Sequence, residues 1–514
     1  MTQAPSSIGR PEQSSARPLI ATRTLAAFAL TTLILHLVIA GRYGWFRDEL
    51  YYIDAGKHLS GGYVDFPMMV ALLADLQRAV FGTSLTALHV LPPVAGACII
   101  ILTALMAREL GGGLTAQRVA GLSALVAPAF IGADALFTMD AFDQLWWTLG
   151  AFILLRLLTL QTRPGSARDV DQAKQRLWLL LGLVCGLGLL TKLTILGFGL
   201  VVAAALRDPA RRELLTPWPY LAGLISFAFL VPYAAWEVAH GWPTLTFWNN
   251  YGHTEDPATF LIQVVLLMQP LALPLWLAGL WYLLRNPAAE PYRPVGWTFL
   301  TLFILFLGLH AKSYFLVPAF PPLLAAGAVA LERQAWLRPR ARLVPLAAAA
   351  LVLGGIVLAP VVAPILPPKT LASVMSSPIQ PVADRFGWPQ FVGTVSAVYH
   401  RLPASQRRQT TILAGNYGEA GALDLLGPAD HLPRVISPHN TYYFWDQGVT
   451  PGRIVIATDF RRSDLLPYFS SVRQAAITAS QDGIQNEEVG RSVYICRGLK
   501  MPWSRVWPRI RNFS

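Results

Sequence analysis

Apolar runs of about 17 to 25 residues, long enough for a helix to cross about 30 Å of hydrocarbon, recur from Ile20 to Pro364 and then stop. A segment in lipid must satisfy its backbone polar groups internally, so runs of this length fold as helices. Composition agrees: 54% of the 514 residues are hydrophobic and 14% charged, with a mean hydropathy of +0.45. The expected architecture is an α-helical polytopic membrane protein with about eleven transmembrane helices. The expected spans are residues 20–40, 85–107, 116–131, 139–160, 177–190, 193–206, 218–236, 259–284, 295–309, 314–331 and 343–363.

The net charge of +12 falls between the apolar runs and is not gathered on one aromatic-rich face, so it does not point to nucleic acid. Arg23, Arg108, Arg118, Arg163, Lys174, Arg207, Arg285, Arg293 and Arg338 sit on alternate connections. By the positive-inside trend those connections and the N-terminal tail, 1–19, are cytoplasmic, and the C-terminal region is extracytoplasmic. The run 20–40 is longer than a signal-peptide core and reads as an uncleaved first helix. The short spans around Thr191 and Lys192 could form one broken helix, which would reverse the parity; the loop charges oppose that. Cys98 and Cys185 lie inside apolar runs and Cys496 is isolated, so neither a disulfide framework nor a metal knuckle is indicated.

The membrane part is expected over 20–365, with a long first extracytoplasmic loop at 41–84. Helix-like stretches at 48–59 and 67–81 of that loop are expected along the membrane surface. A second long loop, 237–257, is rich in aromatic and polar residues. From Leu366 the composition becomes that of a soluble domain, 366–514. Strand-like runs at 411–413, 453–457 and 492–496 and a helix-like run at 419–426 predict a small α/β unit. No internal repeat is evident.

Arg47, Asp48, Glu49, Tyr51, Tyr52 and Asp54 crowd together just beyond the first span. Transfer of a sugar needs a carboxylate to take a proton from the attacking hydroxyl and cations to steady a departing phosphate. A solvated juxtamembrane turn would carry the same residues. Asp65 is a second polar contact or a turn residue before Pro67. Asp134, Asp140 and Asp143 stand at helix mouths, where ionisable groups line cavities by default. A divalent metal stays open there, since carboxylates are hard ligands. Lys192, Lys312 and Tyr314 stand at extracytoplasmic helix ends, where few cations are expected. They suit a lipid-linked phosphate, although Lys192 alone could snorkel. His253, with Glu255 and Asp256, reads as a polar loop. Gly415, Gly418 and Gly421 have GxxGxxG spacing, which favours a tight strand-to-helix turn over a dinucleotide fingerprint.

The stretch Phe-Arg-Asp-Glu-Leu-Tyr-Tyr at 46–52, followed by Gly-Tyr-Val-Asp-Phe-Pro at 62–67, resembles bacterial glycosyltransferases related to protein O-mannosyltransferases and lipid A aminoarabinose transferases. Thr-Met-Asp at 138–140, the Gly188 to Lys192 stretch and Lys-Ser-Tyr-Phe-Leu-Val-Pro at 312–318 extend the resemblance. It implies a GT-C architecture and a polyprenyl-phosphate sugar as donor. The acceptor would be a lipid, glycan or protein of the cell envelope, reached from the bacterial inner (plasma) membrane. It further implies Asp48 as catalytic base, Glu49 as its acidic neighbour, Asp140 as a second acid, and Lys312 and Tyr314 at the phosphate; Arg47, apart from the resemblance, is a candidate third contact to that phosphate. Where aminoarabinose transferases carry Lys-Pro-Pro, this chain reads Phe66, Pro67 and Met68, so one phosphate-binding lysine is missing. The rival expectations are a flippase for a lipid-linked sugar, which would favour repeats and interrupted midplane helices, and a non-catalytic membrane scaffold.

Overall fold

The computed structural model describes residues 18–160, 166–200, 209–250, 255–333, 343–375, 378–480 and 482–514. Helix α1 (Thr22–Ile39) leads into a loop holding α2 (Arg47–Lys57) and α3 (Met69–Phe81), and α4 (Leu91–Glu109) follows. Next come α5 (Leu114–Leu125) and α6 (Pro128–Asp134), bent by 59° where Pro128 starts a new helix. Then follow α7 (Met139–Leu160), α8 (Ala167–Leu189), a 3₁₀ turn at Leu193–Phe198, α9 (Trp218–His240) and α10 (Pro243–Asn250). Helices α11 (Pro257–Leu267) and α12 (Leu273–Arg285) form a second bent unit, and α13 (Arg293–Gly308) follows. The 3₁₀ segment Ser313–Ala319 bends by 57° into α14 (Pro321–Arg333), and α15 (Leu343–Val362) closes the membrane part.

Among the described residues five helices are long and apolar enough to cross a membrane, or up to eight if each bent pair is one span. The chain is thus a multi-pass membrane protein. The expected span at 177–190 is the second half of α8, and that at 295–309 is α13. The expected span at 193–206 begins as a 3₁₀ turn, and its stretch from 201 lies outside the described residues, as do His253, Arg163, Arg207, Arg338 and the tail up to residue 17.

The membrane core is built on small residues. A Cβ at Gly279 would stand 2.0 Å from the Leu323 carbonyl oxygen, and one at Gly327 2.0 Å from that of Leu275, so α12 and α14 pack backbone to backbone. Gly96 of α4 is equally constrained, because a Cβ there would lie 1.8 Å from Asp134 Oδ2. Asp134 is therefore buried against α4. Gly96→Val is expected to cost about 3 kcal/mol through overpacking against the buried Asp134 carboxyl. The checking measurement is the yield of monodisperse protein after detergent extraction. Leu353, Ile356 and Val357 on α15, and Phe227 and Val231 on α9, are apolar and exposed, which suits a lipid environment.

Beyond the membrane part come α16 (Trp388–His400), β1 (Thr410–Ala414), α17 (Tyr417–Leu426), β2 (Val435–Ile436), β3 (Ile454–Thr458), β4 (Phe469–Ile477), β5 (Ser492–Leu499) and α18 (Trp503–Ile510). The sheet order is β2-β1-β3-β5-β4. Strands β1, β2 and β3 are parallel, while β5 runs antiparallel to its neighbours β3 and β4. The three strands expected from sequence are present. Strand β4 escapes a periodicity reading because it is half exposed and carries a register shift between Gln474 and Ala476.

One expectation is corrected. Helix α2 does not lie along a membrane surface: Leu50, Tyr51, Tyr52, Ile53 and Ala55 are buried in a hydrophobic core shared with Trp388, Phe391, Ile412 and Ala420 of the C-terminal domain. Its amphipathic pattern marks a second protein layer; sequence periodicity alone does not distinguish such a partner from lipid.

Candidate active site

The start of α2 is fixed by Glu49. Its carboxylate accepts hydrogen bonds from the Phe46 amide at 2.9 Å, His89 Nε2 at 2.7 Å and the Phe137 amide at 2.8 Å, all in full burial. Burial alone would raise this carboxyl, but His89, through charge and hydrogen bond, and Arg385 hold it below the usual range. Glu49 is thereby an anchor that joins the first loop to the entrances of α4 and α7.

With α2 held in this way, Asp48 faces a cavity of about 500 Å³. Tyr52, Asp65 and Pro67 line the same side. Met139, Asp140, Lys192 and Thr194 come from the membrane helices, and Lys312, Tyr314 and Phe315 from the turn before α14. Tyr233 on α9 and Thr244, Phe247 and Trp248 of the second loop close the cavity, with Tyr417, Asn440 and Ser514 from the C-terminal domain. Seven of the residues singled out in the sequence thus meet at one place: Asp48, Tyr52, Asp65, Asp140, Lys192, Lys312 and Tyr314.

Lys192 reaches the cavity because α8 ends at Leu189 and the backbone is extended at Lys192. The absence of a side chain at Gly188 lets the chain fold straight back, since a Cβ there would meet Ile195 Cδ1 at 2.2 Å. The Lys192 ammonium lies 2.5 Å from Asp140 Oδ1, and 4.9 Å and 4.8 Å from the ring centres of Tyr314 and Phe315. Behind it the Thr194 hydroxyl donates to Asp143 at 2.9 Å. Asp143 therefore supports this turn and does not line the cavity.

Burial raises the Asp48 carboxyl above the ordinary aspartate range. A hydrogen bond from the Tyr417 hydroxyl and the Arg47 charge oppose this, while Asp140 and Glu49 add to it. Burial pushes Asp65 up to about 7, with Tyr51 opposing and the Asp48 charge reinforcing. At neutral pH the cavity therefore holds at least one carboxyl poised for proton exchange.

Two of the expected substrate contacts stand elsewhere. Arg47 turns away from the cavity to Glu487 at 2.6 Å, Asp384 at 3.6 Å and Glu488 at 3.9 Å. Tyr51 is buried behind the wall, where its hydroxyl contacts Asp65 Oδ1 at 3.0 Å and Thr441 Oγ1 at 2.6 Å. Conversely, the sequence assigns no role to the C-terminal liners Tyr417, Asn440 and Ser514: the stretches 416–421 and 437–443, which hold the first two, add to the family resemblance but not to the site, and nothing local marks Ser514. The aromatic richness of 237–257 was the available signal for Phe247 and Trp248. Glu255 accepts from the Ser313 amide at 3.0 Å, and Asp256 caps α11. Among the described residues no three His, Cys, Asp or Glu side chains stand close enough to share a metal ion.

A multispan helical domain, a long first loop bearing the acidic helix and a small α/β domain closing over it define the class: this is a multi-pass membrane protein whose fold is similar to that of solved membrane-protein structures. Within it, residues 65–236 match the family model described as dolichyl-phosphate-mannose-protein mannosyltransferase. ArnT from Cupriavidus metallidurans in the apo state matches with a TM-score of 0.62, 16% identity, 92% of this chain and 98% of that chain. ArnT from Cupriavidus metallidurans bound to undecaprenyl phosphate matches with 0.61, 18%, 92% and 98%. The archaeal oligosaccharyltransferase AglB from Archaeoglobus fulgidus, in complex with an inhibitory peptide and a dolichol-phosphate, matches with 0.52, 12%, 87% and 70%. No curated protein matches the chain in sequence.

Proposed function

We propose that the protein is a membrane glycosyltransferase that moves a sugar from a polyprenyl-phosphate carrier to a hydroxyl of a cell-envelope lipid, glycan or protein. The reaction would take place on the extracytoplasmic face of the bacterial inner membrane. The observation that carries this reading is the meeting, in one cavity, of the Asp48 carboxylate with Lys192, Lys312 and Tyr314. Loop charges support the orientation, and the structures bound to undecaprenyl phosphate and dolichol-phosphate support the donor class.

In this reading Asp48 takes the proton from the acceptor hydroxyl as its oxygen attacks the anomeric carbon. The bond from that carbon to the phosphate oxygen breaks, and polyprenyl phosphate leaves with the bonding pair. Lys192 and Lys312 stabilise the charge that develops on the phosphate, and the Tyr314 hydroxyl donates to it. Asp140 holds Lys192 over the Tyr314 and Phe315 rings until a phosphate competes for it. Lys192 offers a cation where Phe66, Pro67 and Met68 provide none.

Mass spectrometry of envelope lipids and glycans from cells with and without the chain tests the reading. Loss of one sugar modification, with accumulation of its polyprenyl-phosphate donor, is the expected result. Movement of an unconsumed lipid-linked sugar between leaflets would replace the reading with transport. Lys192→Met is expected to lower kcat/KM for the donor by about a hundredfold, since a charge contact to the leaving phosphate is lost.

A further inference from the structure

The glycines at 415, 418 and 421 have a task that brings the C-terminal domain into the chemistry. Their spacing of three places Gly418 and Gly421 on one face of α17. That face lies on α2: a Cβ at Gly421 would stand 2.8 Å from Leu50 Cβ, and one at Gly418 3.2 Å from Arg47 Cβ. Gly415 lies against the carbonyl oxygen of Thr458 at the end of β3, where a Cβ would come to 2.7 Å. Asn416 then caps α17 by accepting from the Glu419 amide at 2.9 Å, and its amide nitrogen donates to Asp459 and Glu488.

This close approach sets Tyr417 in the cavity wall. Its ring packs between His439, with centroids 5.2 Å apart, and Tyr51, 5.0 Å apart. Its amide donates to His439 Nδ1 at 3.0 Å, and its hydroxyl donates to Asp48 Oδ1 at 2.7 Å. The ring, its backbone and its hydroxyl are all held, so the hydroxyl points at one oxygen of Asp48.

We propose that Tyr417 is a positioning residue: the C-terminal domain, docked through the glycine face of α17, fixes the orientation of Asp48 and leaves its other oxygen for the acceptor. This rests on the transferase reading of the cavity. A hydroxyl donated to a carboxylate also favours the charged, proton-accepting form. The other groups around Asp48 are Arg47 and Glu49 on its own helix, Tyr52, Asp65 in the following turn, Asp140 on α7 with its partner Lys192, and Asp384, an ion-pair partner of Arg47. Arg47 alone opposes the burial of the carboxylate from within α2, and Tyr417 adds the second such contribution from 369 residues away.

The test uses the purified full chain in lipid nanodiscs and dicyclohexylcarbodiimide, which reacts with protonated carboxyls, with labelling at Asp48 followed by peptide mass spectrometry across pH. In Tyr417→Phe the labelling midpoint is expected to move to higher pH, with an unchanged plateau at acid pH. Where the native carboxylate is mostly ionised, labelling becomes about fivefold faster or more. An unmoved midpoint overturns the proposal; so does a raised plateau with an unmoved midpoint, since that reports wider access and not a lost hydrogen bond. Gly421→Ala, which pushes α17 off Leu50, is expected to shift the midpoint in the same direction and decides the matter should Tyr417→Phe fail to fold. Asp48→Asn separates the two layers. If it leaves sugar transfer intact, the transferase role of Asp48 falls; if it abolishes transfer while Tyr417→Phe labels as the native chain does, only the role of Tyr417 falls.

Discussion

Asp48→Asn should reduce sugar transfer at least about a thousandfold, roughly 4 kcal/mol of transition-state stabilisation, while the chain inserts and folds normally. The amide keeps an oxygen to accept from the Tyr417 hydroxyl, so the wall of the cavity persists. An amide does not take a proton at neutral pH, so only the chemistry is removed. A charged turn outside the chemistry would lose nothing, and full activity in this variant would end the assignment. The pH profile carries a second signature. Asp48 must be ionised to accept a proton, and burial raises its carboxyl above the ordinary range. Activity should therefore fall on acidification at a higher pH than an exposed aspartate would dictate.

Arg47→Met should have the largest effect on stability. The guanidinium stands among Asp384, Glu487 and Glu488, of which the Asp384 and Glu488 side chains are only 5% and 9% exposed. Removing the cation leaves buried carboxylates uncompensated, at a cost of about 3–5 kcal/mol. The deficit should depend on pH in a stated direction. Burial pushes Asp384 up to about 7 even with Arg47 opposing. The folded state therefore holds a proton that the unfolded chain, with an ordinary aspartate, releases at lower pH. Stability from this group is present below the unfolded value and is lost as pH rises through about 7. Without Arg47 the loss deepens on the alkaline side. Thermal unfolding of the variant should approach that of the native chain near pH 5 and diverge from it near pH 8; a deficit independent of pH would exclude this account.

These two residues also show what a sequence reveals and what it withholds. Adjacent in the chain, Arg47 and Asp48 looked like parts of one reactive segment. Composition alone left Asp48 open to a solvated turn, and only the resemblance of the Phe46 to Tyr52 stretch to glycosyltransferases gave it a role. The partners of Arg47 lie more than 330 positions away, and no local pattern marks a cation as already committed. Lys192 and Lys312 were legible because positive charge is unexpected at those helix ends. Tyr417 was not, because its neighbours in sequence describe a helix start and only the packing of α17 on α2 gives its hydroxyl a target. Apolar periodicity marked the long helices. Bends such as those at Pro128 and after Leu267 depend on what fills the space beside them, so the number of crossings was less legible than their existence.

The core shared by the first loop and the C-terminal domain imposes an order on biosynthesis. Tyr51 and Thr441, hydrogen-bonded at 2.6 Å, are separated by 390 residues. The ribosome makes the aromatic face of α2 long before the strands and helices that cover it. Until that last part has been made, Leu50, Tyr51 and Tyr52 lack the C-terminal part of their packing, and contacts over such a separation form late. A nascent chain halted before residue 388 would therefore expose a sticky apolar surface and lack an assembled cavity, so nothing that depends on that cavity can begin while the chain is still being made.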